Sequence, residues 1–341
     1  MRTTIFKFLF AITALAVVSC DEWNVEIDTQ IMRDGSCVRT VKSDNNGCLT
    51  EDDGWTVVET KDSVRNFSND KIQASVISRR FDRVEDMNGY PALQIYGKPV
   101  KSESSLVKSF KWFYTDYTFT ETFPGWQESF DIPITDYVSP DEASFWFTGY
   151  PELPQGITGE ELTYISDISW RIDHWYFDVM WDLYFKSIAS FYDEIENPPV
   201  DRETFLSMRD SVMNTAFNED WEFWGEEGEN DPLKYLDGFF HTKVFSETKC
   251  PEAESYGEKL WYQSIGLDEL NASYALKMPG KITDAGRGIV ENDMIRYRFG
   301  GAYLIPGDYT FTATSRCVNV WAFLLSGLIL IIAVGSFFIK R

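Results

Sequence analysis

The sequence predicts an α+β protein: an antiparallel β-rich ectodomain with an inserted helical block, followed by one C-terminal transmembrane helix. Three observations carry this. Alternating apolar and polar runs flank the chain on both sides of a middle region. That middle region has apolar residues at helical spacing. The last residues read VNVWAFLLSGLILIIAVGSFFIKR. The resulting order is a signal segment over 1–19, β-rich parts over 20–138 and 262–317, a helical insertion over 139–261, and a membrane helix with a short basic tail over 318–341.

Arg2 and Lys7 precede the apolar run Phe8 to Val18. That run is shorter than the roughly 20 residues a bilayer crossing needs, so it reads as a secretory signal peptide. Val17-Val18-Ser19-Cys20 resembles the bacterial lipobox, which implies lipid attachment at Cys20. Trp23 to Lys42 reads as a hairpin, with Val25, Ile27 and Thr29 alternating before Asp34-Gly35 and Cys37, Arg39 and Val41 after it. Further strands are expected over Trp55 to Lys61, Lys71 to Phe81 and Phe110 to Phe123, the last broken by Pro124-Gly125.

Helical signals follow. Ser139-Pro140-Asp141-Glu142 is a capping box with proline at the first helical position, and Gly149 closes that helix. Thr158-Gly159-Glu160-Glu161 caps a longer one, on which Leu162, Ile165, Ile168, Ile172, Trp175 and Val179 share a face. Asp201 opens a third helix and Asp231-Pro232 a fourth. Strands return at Asn271 to Met278, which Pro279-Gly280 ends, at Ile295 to Phe299, and at Tyr309 to Thr312, which repeats the tetrapeptide of Tyr117 to Thr120. Val320 to Ile339 is free of charge, with Trp321 at one end and Lys340-Arg341 at the other. The positive-inside rule then places the exported part between an acylated Cys20 and Val320, with both ends at the outer face of one membrane, most simply the cytoplasmic membrane.

YALKMPGKITDAGRGIVENDMIRYRF followed by YTFTATSRCVNVWAFLL resembles the LppM-like domain family of bacterial membrane-anchored lipoproteins, and VEIDTQIMRDGSCVRTV is similar to that family's opening hairpin. The resemblance implies a compact β-rich ectodomain and an association with envelope glycolipids.

The formal charge of −23 argues against nucleic acid and against broad docking on anionic lipid. The 16% aromatic content leaves material for an apolar groove beyond a core. Trp170, Trp175, Phe177 and Trp181 are the candidate ligand groove, for acyl chains or sugar faces. Asp173 and His174 are a candidate acid–base pair, without a nucleophile motif beside them. After Cys20, four cysteines remain (Cys37, Cys48, Cys250 and Cys317), which allow three connectivities, with Cys37 and Cys48 the candidate disulfide.

The acidic loop from Asn218 to Asp231 and Asp44-Asn45-Asn46-Gly47 lack the calcium-loop spacing. With only His174 and His241, histidine-based metal sites and triads have little to work with. No cofactor and no catalytic residue is assigned. The expected function is a non-catalytic envelope lipoprotein binding a lipid, glycolipid or protein partner at the membrane surface. The alternatives are a glycan hydrolase using paired carboxylates and an accessory or sensor subunit of a membrane complex.

Overall fold

The computed structural model describes residues 23–43, 55–65, 71–95, 98–127, 130–150, 158–219, 232–247, 267 and 270–339. The chain forms two units: Met1–Pro124 with Asp268–Leu304 and Asp308–Arg341, and Gly125–Leu267 with Ile305–Gly307. The signal segment, Cys20, Cys48, Cys250, the 44–47 turn and most of the acidic loop lie outside the described residues.

The first unit is built from strands β1 (Trp23–Ile31), β2 (Cys37–Ser43), β3 (Thr56–Arg65), β4 (Lys71–Phe81), the short β5 (Leu93–Ile95) and β6 (Lys98–Val100), then β7 (Glu103–Lys111) and β8 (Tyr114–Phe123). After the second unit come β9 (Leu270–Lys277), β10 (Lys281–Asp284), β11 (Ile289–Glu291), β12 (Met294–Gly300) and β13 (Tyr309–Val318). A seven-stranded sheet runs β11-β12-β9-β1-β2-β4-β3 and a four-stranded sheet runs β10-β13-β8-β7.

The larger sheet is mixed rather than antiparallel, because β1 pairs in parallel with β9, Trp23 opposite Leu270 through Gln30 opposite Lys277. Local hairpin signals report only antiparallel neighbours. A parallel pair needs a long crossover, which leaves no local trace. The stretch Phe110 to Phe123 is likewise two strands and not one. Lys111 pairs with Tyr114 around a two-residue turn made of Trp112 and Phe113, which carry none of the usual hairpin-turn residues.

The inner faces follow the period-2 pattern. Tyr117, Phe119 and Phe123 of β8 and Tyr309, Phe311 and Ala313 of β13 meet Ile27, Tyr274, Ile295, Tyr297 and Phe299 of the larger sheet, all buried. The repeated YTFT segments lie side by side in β8 and β13, with Thr120 opposite Thr312, so that Thr118–Thr314, Thr120–Thr312 and Thr122–Thr310 hydroxyl pairs form an outer ladder. The Pro279-Gly280 turn is tight: Gly280 has φ +83°, and a Cβ there would stand 2.3 Å from the Arg316 carbonyl oxygen.

The second unit holds α1 (Pro140–Thr148), α2 (Gly159–Ser190), α3 (Arg202–Ser207), α4 (Arg209–Asn218), α5 (Pro232–Phe240) and α6 (Val244–Glu247). Both capping boxes form, with Ser139 accepting from the Glu142 amide and Thr158 from the Glu161 amide, and Gly149 closes α1 in the left-handed conformation. The core of α2 to α6 contains Trp181, Phe185, Phe205, Val212, Leu236 and Phe245.

The last helix, α7 (Val320–Ile339), follows β13 directly. The expected transmembrane helix over 318–341 is corrected: among the described residues, no helix is long and apolar enough to cross a membrane.

Strand direction also bears on the expected meeting of the two chain ends. The end of β1 lies at the α7 end of the unit, since the Tyr117 hydroxyl of β8 donates to the Arg33 carbonyl and Tyr117 pairs with Ser315 near the end of β13. Trp23, at the start of β1, is thus at the far end of the strands, about 25 Å away.

Candidate functional site

Two places in the first unit carry unusual chemistry. The first is a charged network between the sheets. Arg39 and Glu121 sit at inward-facing strand positions, 1% and 0% exposed. One guanidinium nitrogen, Nη2, of Arg39 donates to both Glu121 oxygens at 2.8 and 2.7 Å and to the Tyr274 hydroxyl at 3.0 Å, while Nε donates to Thr29 at 3.1 Å. Ser102 and Tyr274 each donate to Glu121 at 2.5 Å. Burial pushes the Tyr274 phenol well up, so it stays a donor. Burial opposes the charge on Arg39, but the adjacent Glu121 carboxylate more than offsets this and holds Arg39 protonated. Every member is satisfied within the network, and none reaches solvent. The arrangement fastens β1, β2, β8 and β9 together and leaves no room for a ligand.

The second is at the end of β13. Asn319 joins strand to helix and clasps the β7–β8 turn. Its amide donates to Phe113 O at 2.9 Å, its Nδ2 donates to Lys111 O at 3.0 Å, and its Oδ1 accepts from Thr115 at 3.2 Å. Around it the aromatics gather. Phe110 stacks on Trp321 with centroids 6.3 Å apart, Trp112 meets Trp321 edge-on at 5.4 Å, and Phe113 meets Phe323 at 4.7 Å. Trp112 Nε1 donates to Ser326 at 2.9 Å, one turn further along α7. All five rings of this collar remain exposed, as do Leu324, Leu328, Ile331 and Val334 beyond it. The result is an apolar helix with an aromatic collar at its base, a surface larger than soluble proteins leave bare. The sequence showed Trp321. It did not show Trp112 and Phe113 as partners, because they read as mid-strand residues.

The residues singled out in the second unit are not gathered into a groove. Trp175 and Trp181 are fully buried and Phe177 nearly so, whereas Trp170 is 56% exposed. Trp175 donates to Ile132 O at 2.9 Å and packs against Phe130. Asp173 and His174, adjacent on α2, point apart as neighbouring helix residues must. His174 stacks on Phe217 at 4.0 Å, and its Nε2 has no hydrogen-bond partner among the described residues. Burial pushes His174 down and Asp173 up to about 6. A cleft of about 70 Å³ between Phe130, Ile134 and Ile305 is far smaller than a small-molecule pocket.

Cys37 and Cys317 are buried free thiols, and Cys48, the other half of the expected pair, lies outside the described residues. Burial pushes the Cys37 thiol up to about 12 and keeps it unreactive. Among the described residues no cluster of His, Cys, Asp or Glu is placed to hold a metal ion.

One surface carboxylate of this unit is strongly perturbed. Glu142 accepts from Arg171 at 2.7 Å, from Tyr164 at 3.0 Å and from the Ser139 amide at 2.8 Å. The Arg171 contact, above all, pulls its pKa down to about 2. A folded-state pKa below the unfolded one stabilises above about pH 4.5, and the contribution is lost as pH falls toward 2. Glu142→Gln is expected to cost about 1–2 kcal/mol at neutral pH and to flatten the stability–pH curve in that window. Urea unfolding at several pH values measures it.

No family model matches the chain, and no curated protein or solved structure matches it.

Proposed function

We propose that this chain is a non-catalytic envelope lipoprotein whose β unit works at a lipid surface, held there by the collar and apolar face of α7, and that it binds a lipid, glycolipid or protein partner beside that surface. The observation that carries the reading is the exposed apolar stretch Val320–Ser336, ringed at its base by Trp112 and Trp321. Lipid is the occupant that this chemistry favours. Indole rings with one apolar side and one N–H collect at the boundary between headgroups and acyl chains. The lipobox-like VVSC and the resemblance of the C-terminal third to LppM-like domains support the same reading. The absence of an assembled acid–base pair in α2 and the closed Arg39–Glu121 network give no support to the hydrolase alternative.

Flotation with vesicles tests it. With Cys20→Ala in both, so that no N-terminal lipid contributes, the full-length chain is expected to rise with lipid and a chain ending at Val318 is expected to stay behind. Equal flotation of the two would remove the helix from the account.

A further inference from the structure

The charge of the chain is not spread evenly. Residues 125–267 hold 30 of its 54 acidic residues and 8 of its 31 basic ones, which puts that unit at −22 and leaves the remainder at −1. The remainder is therefore free to carry local positive charge, and it does so at the strand ends nearest α7. Strand register brings Lys108 and Lys111 to the end of β7, Arg316 to the end of β13 and Lys281 opposite Arg316. Arg33, whose carbonyl holds the Tyr117 hydroxyl, and Arg80, opposite Val38 near the start of β2, lie at the same end. All six are exposed.

The acids among them are Asp34 and Asp116. Asp34 accepts from Ser36 and offers its carbonyl to Lys108, and Asp116 pairs with Arg316 at 2.7 Å. Asp82, which follows Arg80 by two residues, Glu85, which accepts from the Leu106 amide, Asp293, and the Arg83–Asp86 and Glu291–Arg296 pairs stand at neighbouring strand ends. Around the collar itself Lys108, Lys111, Lys281 and Arg316 stand against Asp34 and Asp116, which leaves a positive rim at the base of an apolar helix. At physiological ionic strength charges interact over only about 8 Å, so this rim, and not the total of −23, decides what the helix end meets.

We infer that the helix end of the β unit selects anionic lipid: its basic rim seats on negatively charged headgroups while the aromatic collar sits at the boundary between headgroups and acyl chains. This rests on the lipid-surface reading above and names the lipid class it takes. A basic residue close to an anionic surface strengthens binding about fivefold, and several acting together discriminate strongly.

The test is competition between two vesicle populations, phosphatidylcholine alone and phosphatidylcholine with about 30% phosphatidylglycerol, for the full chain. The chain is expected to go to the anionic vesicles by tenfold or more, and to lose that preference as salt is raised. Lys111→Glu with Lys281→Glu should cut the preference about tenfold without reducing binding to phosphatidylcholine, which separates the rim from the basic pair Lys340-Arg341. Lys111→Gln with Lys281→Gln should give a smaller loss in the same direction and guards against misfolding. Equal, salt-insensitive partition of the wild-type chain would overturn the anionic preference while leaving lipid binding in place. Failure to bind either vesicle would overturn the lipid-surface reading itself.

Discussion

Glu121→Ala is expected to destabilise the β unit by about 3–5 kcal/mol, because it strands the Arg39 guanidinium in the core. The loss is larger than that of the ion pair alone. Arg39 is 1% exposed and cannot turn to water, Ser102 and Tyr274 lose the acceptor they share, and the vacated volume is too enclosed for bulk solvent. For a unit of this size the midpoint of thermal unfolding should fall by about 10 °C. The double replacement Arg39→Met, Glu121→Leu removes both charges and fills the space with carbon, and it is expected to recover most of the loss. Chemical denaturation of the four chains of the cycle measures the coupling. Additive losses from the two single replacements would show that the pair does not act as a unit.

Trp181→Ala should be comparably severe, about 3–5 kcal/mol on the helical unit, through the lost burial of an indole and the cavity it leaves. Trp181 is fully buried and packs on Phe177, Phe185 and Tyr235, so no neighbouring side chain closes the gap without moving a helix. Trp170→Ala, about three turns earlier on α2, removes a ring that is 56% exposed and should change stability by no more than about 0.5 kcal/mol. The contrast separates core from groove. Near-equal, small effects of the two would restore Trp181 to a ligand-facing role.

Local chemistry was legible in the sequence. The capping boxes at Ser139 and Thr158 and the Pro279-Gly280 turn each depend on a few neighbouring residues, and each forms as read. What escaped depends on partners far along the chain. The parallel β1–β9 pair joins residues more than two hundred positions apart. Trp112-Phe113 turns a hairpin without glycine or asparagine because α7 and Asn319 hold it from the other side. Arg39 and Glu121 carry a local signal of their own: each occupies an apolar-face position in an alternating run, Cys37-x-Arg39-x-Val41 and Phe119-x-Glu121-x-Phe123. Two opposite charges that both break alternation predict each other. Strand direction changes what a lipid on Cys20 would do. Trp23, three residues after Cys20 in the sequence, starts β1 at the end of the strands remote from α7.

The central claim is that the Trp112–Trp321 collar lies at a lipid surface, and quenching of tryptophan emission by brominated acyl chains tests it most directly. Bromines placed shallow in the chains are expected to quench a fraction of the emission that disappears in the Trp112→Phe, Trp321→Phe chain, and to quench it more than bromines placed deep. Emission from the wild-type chain that is indifferent to bromine at either depth would contradict the claim.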